Sequence, residues 1–243
     1  MTEKVDKTQD GAIIYDPQVI REIGPERFTQ AGWLHAEPLA GAPGAGGRGS
    51  TLYVGNVPRQ FVLRHYLRGG LVGRLVRDRY VYTGEDSTRP FREWRLLAKL
   101  AARGLNVPRP AAARFRRRGP FYTADIITVR IPGVRPLSAA VTGERRDAAF
   151  WSGIGRALRA FHAEGVFHAD MNAYNVQVDE QDRVWLLDFD RGRLRPAGPW
   201  QQRTLARLER SLVKIRGLDP QVNFTRENWE QLLAGYFEAS RSA

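Results

Sequence analysis

His168-Ala-Asp-Met-Asn-Ala-Tyr-Asn175 sets a histidine, an aspartate and an asparagine in the pattern H-x-D-x-x-x-x-N, and Asp188-Phe189-Asp190 follows thirteen residues after Asn175. Residues of these types at this spacing suit phosphoryl transfer. Asp170 would accept or orient the proton of an attacking hydroxyl, while the Asn175 amide oxygen and the Asp188 carboxylate would hold Mg²⁺ against nucleotide phosphates. Three fixed residues arise by chance in a chain of this length with a probability of roughly a few per cent, so the motif's surroundings must carry weight too. The structural alternative has Asp170 capping a turn, Asn175 bonding local backbone and Asp188 ending a strand.

Those side chains need elements to position them. Asn175–Val178 and Val184–Leu187 read as strands around the polar turn Asp179–Arg183, a hairpin that would bring Asn175 and Asp188 to the same end. Upstream, Asp147 caps a helix with Trp151, Ile154, Leu158 and Phe161 inward, ending at Gly165. Two further helices are predicted, one over Gln202–Arg216 and one beginning near Thr225. In the N-terminal half, Ala12–Tyr15 reads as an edge strand, and Leu52–Val54, Gln60–Tyr66 and Phe121–Val129 as further strands. A helix from Ser87 or Thr88 to about Arg103 has Pro90 in its first turn and Gly104 just past its end. Glu93 falls on the edge of that helix's apolar stripe, where a carboxylate is costly unless it meets a cation. Arg64 in Phe61–Tyr66 is a candidate partner; the alternative sends Glu93 to solvent beside Arg92 or Arg95. The run 41–49, with Gly46, Gly47 and Gly49, is either a surface loop or a backbone cradle for a ligand.

Composition bounds the rest. The chain has 243 residues, with 42% hydrophobic, enough for a packed core. It has no cysteine, which excludes disulfides, a thiol nucleophile and Cys-ligated metal. No run is long and apolar enough to span a bilayer, and residues 1–10 do not read as a secretory signal. A net charge of +12 points to an acidic partner. Only Lys4, Lys7, Lys99 and Lys214 are lysines, so nearly all of the 38 basic residues are arginines.

In the order glycine-rich loop, basic strand residue, helix Glu, H-x-D-x-x-x-x-N and D-F-x, the chain resembles protein-kinase-like folds. Val62-Leu-Arg-His-Tyr-Leu-Arg-Gly-Gly70, Phe91-Arg-Glu-Trp94, His168–Asn172 and Leu187–Arg193 resemble more closely the bacterial kinases of 3-deoxy-D-manno-octulosonic acid (Kdo). The resemblance implies an α+β, bilobal protein-kinase-like fold: an antiparallel-sheet N-lobe over 1–131 and a reduced, mainly helical C-lobe over 132–243. It implies Asp170 as catalytic base, Asn175 and Asp188 as Mg²⁺ ligands, and Gly46, Gly47, Gly49, Arg64 and Glu93 as the ATP-binding set. Arg64 stands where those folds carry lysine, and Asp190 replaces the glycine of D-F-G, either binding a second ion or pairing with Arg191 or Arg193.

After Asp190 only 53 residues remain, little room to dock a polypeptide acceptor. A small acceptor follows, and an acidic one suits arginine clusters at 114–118 and 191–195 better than a cationic antibiotic would. Arg116–Arg118 is alternatively a solvated turn. The resemblance implies phosphorylation of the Kdo 4-OH in Kdo–lipid IVA, at the cytoplasmic side of an anionic inner membrane. The rivals are a kinase for another core sugar such as heptose, a weak pseudokinase, and a nucleic-acid binder. No nucleic-acid-binding motif accompanies the charge, so no nucleic-acid partner is expected.

Overall fold

A computed structural model describes residues 1–39, 51–56, 59–67 and 78–238. The chain divides into two compact units, Met1–Arg103 with Pro108–Arg130, and Gly104–Val107 with Ile131–Ala243. The architecture is α+β.

The first unit is built on an antiparallel sheet. Its described strands are β1 (Lys4–Thr8), β2 (Gly11–Tyr15), β3 (Ala36–Pro38), β4 (Thr51–Val54), β5 (Phe61–His65), β6 (Tyr80–Val81), β7 (Pro110–Arg118) and β8 (Phe121–Val129). They lie in the order β1-β2-β7-β8-β5-β4-β3, with β6 also paired to β8. The helix α1 (Arg89–Ala102) starts after Thr88. The Thr88 hydroxyl donates to the Glu85 carbonyl instead of capping the helix (2.7 Å).

Directly opposed residues of an antiparallel pair share a face. Ile14, Ala113, Ile126 and Arg64 form one such row across β2, β7, β8 and β5, on the side where Phe91 of α1 meets Phe115 with ring centroids 5.3 Å apart. The opposite row, Ile13, Arg114, Asp125 and His65, lies on the face where Ile23 and Phe28 of the segment after β2 join the core. With both faces covered, Ala12–Tyr15 is fully buried and β2 is an inner strand rather than the expected edge; polar β1 takes the edge. The alternative that made Arg116–Arg118 a solvated turn is not what forms. These residues end β7, and the turn is Gly119-Pro120, with Gly119 at φ +61.

The second unit comprises β9 (Arg135–Pro136), α2 (Leu137–Ala140), α3 (Ala148–Ala163), β10 (Val166–Phe167), β11 (Val176–Val178), β12 (Val184–Leu186), β13 (Arg193–Leu194), α4 (Trp200–Leu218) and α5 (Arg226–Glu238). Asp147 caps α3 by accepting from the Phe150 N–H (2.9 Å). Helices α3 and α5 touch backbone to backbone. A Cβ on Gly155 would lie 2.0 Å from the Leu232 carbonyl oxygen, and one on Gly235 2.2 Å from that of Ser152. Strands β11 and β12 pair as the expected hairpin, held at its turn by Asp179, which accepts from the Gln181 and Arg183 N–H groups and the Trp185 indole. No described helix is long and apolar enough to cross a membrane.

Candidate active site

In the first unit, β5 and α1 bring Arg64 and Glu93 together. Arg64 Nη2 donates to both carboxylate oxygens of Glu93, at 2.6 and 2.7 Å. Glu93 is 3% exposed, so a carboxylate on the apolar face of α1 survives there because a cation and a phenol reach it. The phenol is Tyr66, whose OH also donates to Glu93 and whose ring lies 4.8 Å below the guanidinium. Sequence reasoning passed over Tyr66. The signal was its place two residues beyond Arg64, on the same side of an extended strand. Gly46, Gly47 and Gly49 lie outside the described residues.

In the second unit, His168 holds the loop to the hairpin. Its Nδ1 accepts from the Asp170 N–H (3.2 Å), leaving Nε2–H to donate to the Leu187 carbonyl (2.8 Å). Burial pushes this imidazole below its ordinary value, as a neutral donor–acceptor requires, and Phe189 packs edge-on against it at 4.8 Å. Asn172 accepts from the Tyr174 and Asn175 N–H groups and donates to the Asp170 carbonyl, closing an Asx-type turn. Asn175 Nδ2 donates to the same carbonyl (2.8 Å). That bond turns the amide so its oxygen remains for another partner.

Asn175 and Asp188 come to the same end of the hairpin. Leu187 N–H donates to the Asn175 carbonyl (2.9 Å), and Asp188 is the next residue. Asp188 adopts φ +63, a left-handed conformation that costs an aspartate of order 1 kcal/mol and re-aims its carboxylate off the strand. An amide oxygen and an exposed carboxylate on one rigid turn are hard oxygen donors of the type Mg²⁺ takes. Among the described residues no group of three or more His, Asp or Glu converges as a metal site, so water and phosphate oxygens would supply the other ligands.

Asp170 itself is half-exposed, and Arg207 of α4 donates to its Oδ1 at 2.5 Å. Motif reading did not single out Arg207; it sits on the polar side of a helix whose inward stripe is Leu205, Leu208, Leu212 and Ile215. No local spacing announces a pair 37 residues apart.

A carboxylate steadied by a guanidinium, beside an amide and a carboxylate fit for a hard cation, can steer a hydroxyl towards a phosphate. Known proteins agree with that class. The family model described as "Lipopolysaccharide kinase (Kdo/WaaP) family" matches residues 43–236. The chain is 43% identical over 229 residues to a "3-deoxy-D-manno-octulosonic acid kinase" of Xylella fastidiosa, covering 94% of this chain and 90% of the relative. It is 38% identical over 224 residues to a protein of that name from Photobacterium profundum, covering 92% and 94%. Among solved structures it is similar to the bifunctional kinase-methyltransferase WbdD (22% identity, 86% of this chain, TM-score 0.43), of which it spans less than half, 47%. The chain belongs to the lipopolysaccharide kinase (Kdo/WaaP) family, and it is a kinase.

Proposed function

We propose that the protein phosphorylates the Kdo sugar of Kdo–lipid IVA at its 4-OH, with ATP as donor, in lipopolysaccharide core synthesis at the inner face of the cytoplasmic membrane. Family membership supports the sugar and the pathway. The observation that carries the chemistry is the Asp170 carbonyl, which receives both Asn172 and Asn175 and so ties the proposed base and the proposed metal donor Asn175 into one turn.

In this reading Asp170 orients the acceptor hydroxyl and takes its proton as the oxygen attacks the γ-phosphorus, while the bond from that phosphorus to the β–γ bridging oxygen breaks and ADP leaves. Arg207 holds the Asp170 carboxylate in place until the acceptor arrives. Asn175 and Asp188 would hold Mg²⁺, which when bound would neutralise charge on the phosphate oxygens. Arg64, fixed by Glu93 and Tyr66, contacts the α- and β-phosphates in the role lysine fills in other kinases. Its planar fork can grip two oxygens at once and stays charged at any working pH.

The test is turnover of purified protein with radiolabelled ATP over four acceptors: Kdo–lipid IVA, heptosylated core, an aminoglycoside and casein. Label on the first alone, placed at O4 by NMR, is the expected outcome. Preference for heptosylated core would replace Kdo by heptose, and ATP use without any acceptor product would leave a pseudokinase.

A further inference from the structure

Val81, Phe121 and Arg118 stand side by side across β6, β8 and β7, since Val81 pairs with Phe121 and Phe121 with Arg118. Paired residues share a face, so the three side chains form one row at the end of the sheet. Val81 is 59% and Phe121 39% exposed. Arg116 lies two residues before Arg118 and therefore on the same face, and Arg79 is exposed beside it. Among the described residues, none of Arg79, Arg116 and Arg118 forms an ion pair with a carboxylate. Arg117, facing the other way, is occupied with the Gly119 carbonyl and the Tyr82 ring. A hollow of about 480 Å³ adjoins the row, lined by these arginines with Phe121, Asp10 and Asp78. Four arginines against two aspartates leave it cationic, and Asp78 is turned towards His65 at 3.6 Å.

An exposed aromatic and an exposed β-branched side chain, fringed by unpaired arginines, combine the two attractions of an interfacial anchor. Apolar groups enter the headgroup–acyl boundary while cations meet anionic headgroups. We infer that this end of the β7–β8 hairpin, with β6, is the surface by which the protein docks on an anionic phospholipid membrane. Charge complementarity and the adjacent apolar pair select lipid over nucleic acid, to which Val81 would offer nothing. The inference rests on the reading that the acceptor is lipid-linked, and it names the surface that meets that lipid's membrane.

The experiment is co-sedimentation of the full chain with vesicles of phosphatidylcholine alone and of equal parts phosphatidylcholine and phosphatidylglycerol. Kdo is absent from both, so the result does not depend on the sugar. Binding to the anionic vesicles only, weakening with salt, is expected. R116Q/R118Q should weaken it about 30-fold, at ~1 kcal/mol for each cation near an anionic surface. V81S/F121S should weaken it separately. Both variants alter exposed side chains, and both should keep the circular dichroism spectrum and melting midpoint of wild type, which reports that they fold. Unchanged vesicle binding in both would overturn the inference. So would absence of vesicle binding by wild type, or an R116Q/R118Q variant that loses a random DNA duplex yet still binds vesicles. Failure of the Kdo assay with intact vesicle binding would instead remove only the sugar.

Discussion

Glu93 is vulnerable because it is charged and almost fully buried. Breaking a buried pair by removing one partner typically costs about 3–5 kcal/mol, so Arg64→Ala should lower stability by several kcal/mol as well as abolish nucleotide binding. Arg64→Lys keeps the charge but loses the planar guanidinium that lies over the Tyr66 ring and donates to Glu93. It should fold, with a KM for ATP raised roughly tenfold and a smaller change in kcat. Denaturant unfolding beside steady-state kinetics separates the two effects; an unaltered KM in the lysine variant would remove Arg64 from the nucleotide site. Arg207 makes the opposite prediction. Arg207→Ala should reduce kcat by roughly one to two orders of magnitude while leaving the KM for ATP near wild type, with partial recovery in Arg207→Lys. The motif residues themselves were legible because H-x-D-x-x-x-x-N packs its chemistry into eight positions. Tyr66 and Arg207 were not, since each acts on a residue distant in sequence.

At the scale of elements, helices and the hairpin were legible where period and caps agreed. Phe121–Val129 forms β8 over the expected span, and α1 and α3 lie within a residue or two of their expected ends. Failures came where tertiary covering decides. Nothing local in Ala12–Tyr15 says that a strand will pair on both sides, and β7, opening at Pro110 and rich in arginine, was not expected as a strand. The α3–α5 crossing yields a test: Gly155→Ala gains helix propensity of about 1 kcal/mol but drives a methyl into the Leu232 carbonyl. A net loss of about 1–3 kcal/mol is expected, read as a lowered melting midpoint. Nearby, His162 of α3 bonds the Tyr236 hydroxyl (2.8 Å), and burial lowers its pKa to about 4. The unfolded chain binds the proton more readily, near pH 6.5. This group's contribution is therefore full above pH 6.5 and lost as pH falls towards 4, by about 3 kcal/mol in all. Subtracting the pH profile of His162→Gln from that of wild type should leave this slope; identical profiles would show that His162 titrates normally.

For the whole molecule, composition carried less than it promised. The excess of +12 names a sign of partner but no place for it. The structure gives part of it internal work: Arg114 is buried against Asp125, Arg109 pairs with Asp16, and Arg95 with Glu3 and Asp86. Arg116 and Arg118 face outward with no carboxylate partner among the described residues, and the proposed docking surface gives them to lipid. The central claim is that Asp170 serves transfer to Kdo. The direct measurement is radiolabel transferred from ATP to Kdo–lipid IVA by purified wild type and by Asp170→Asn, with folding checked by circular dichroism. The account predicts labelled Kdo lipid with wild type and a loss of roughly 10²–10⁴ in kcat for the folded variant. Turnover close to wild type in Asp170→Asn would contradict it.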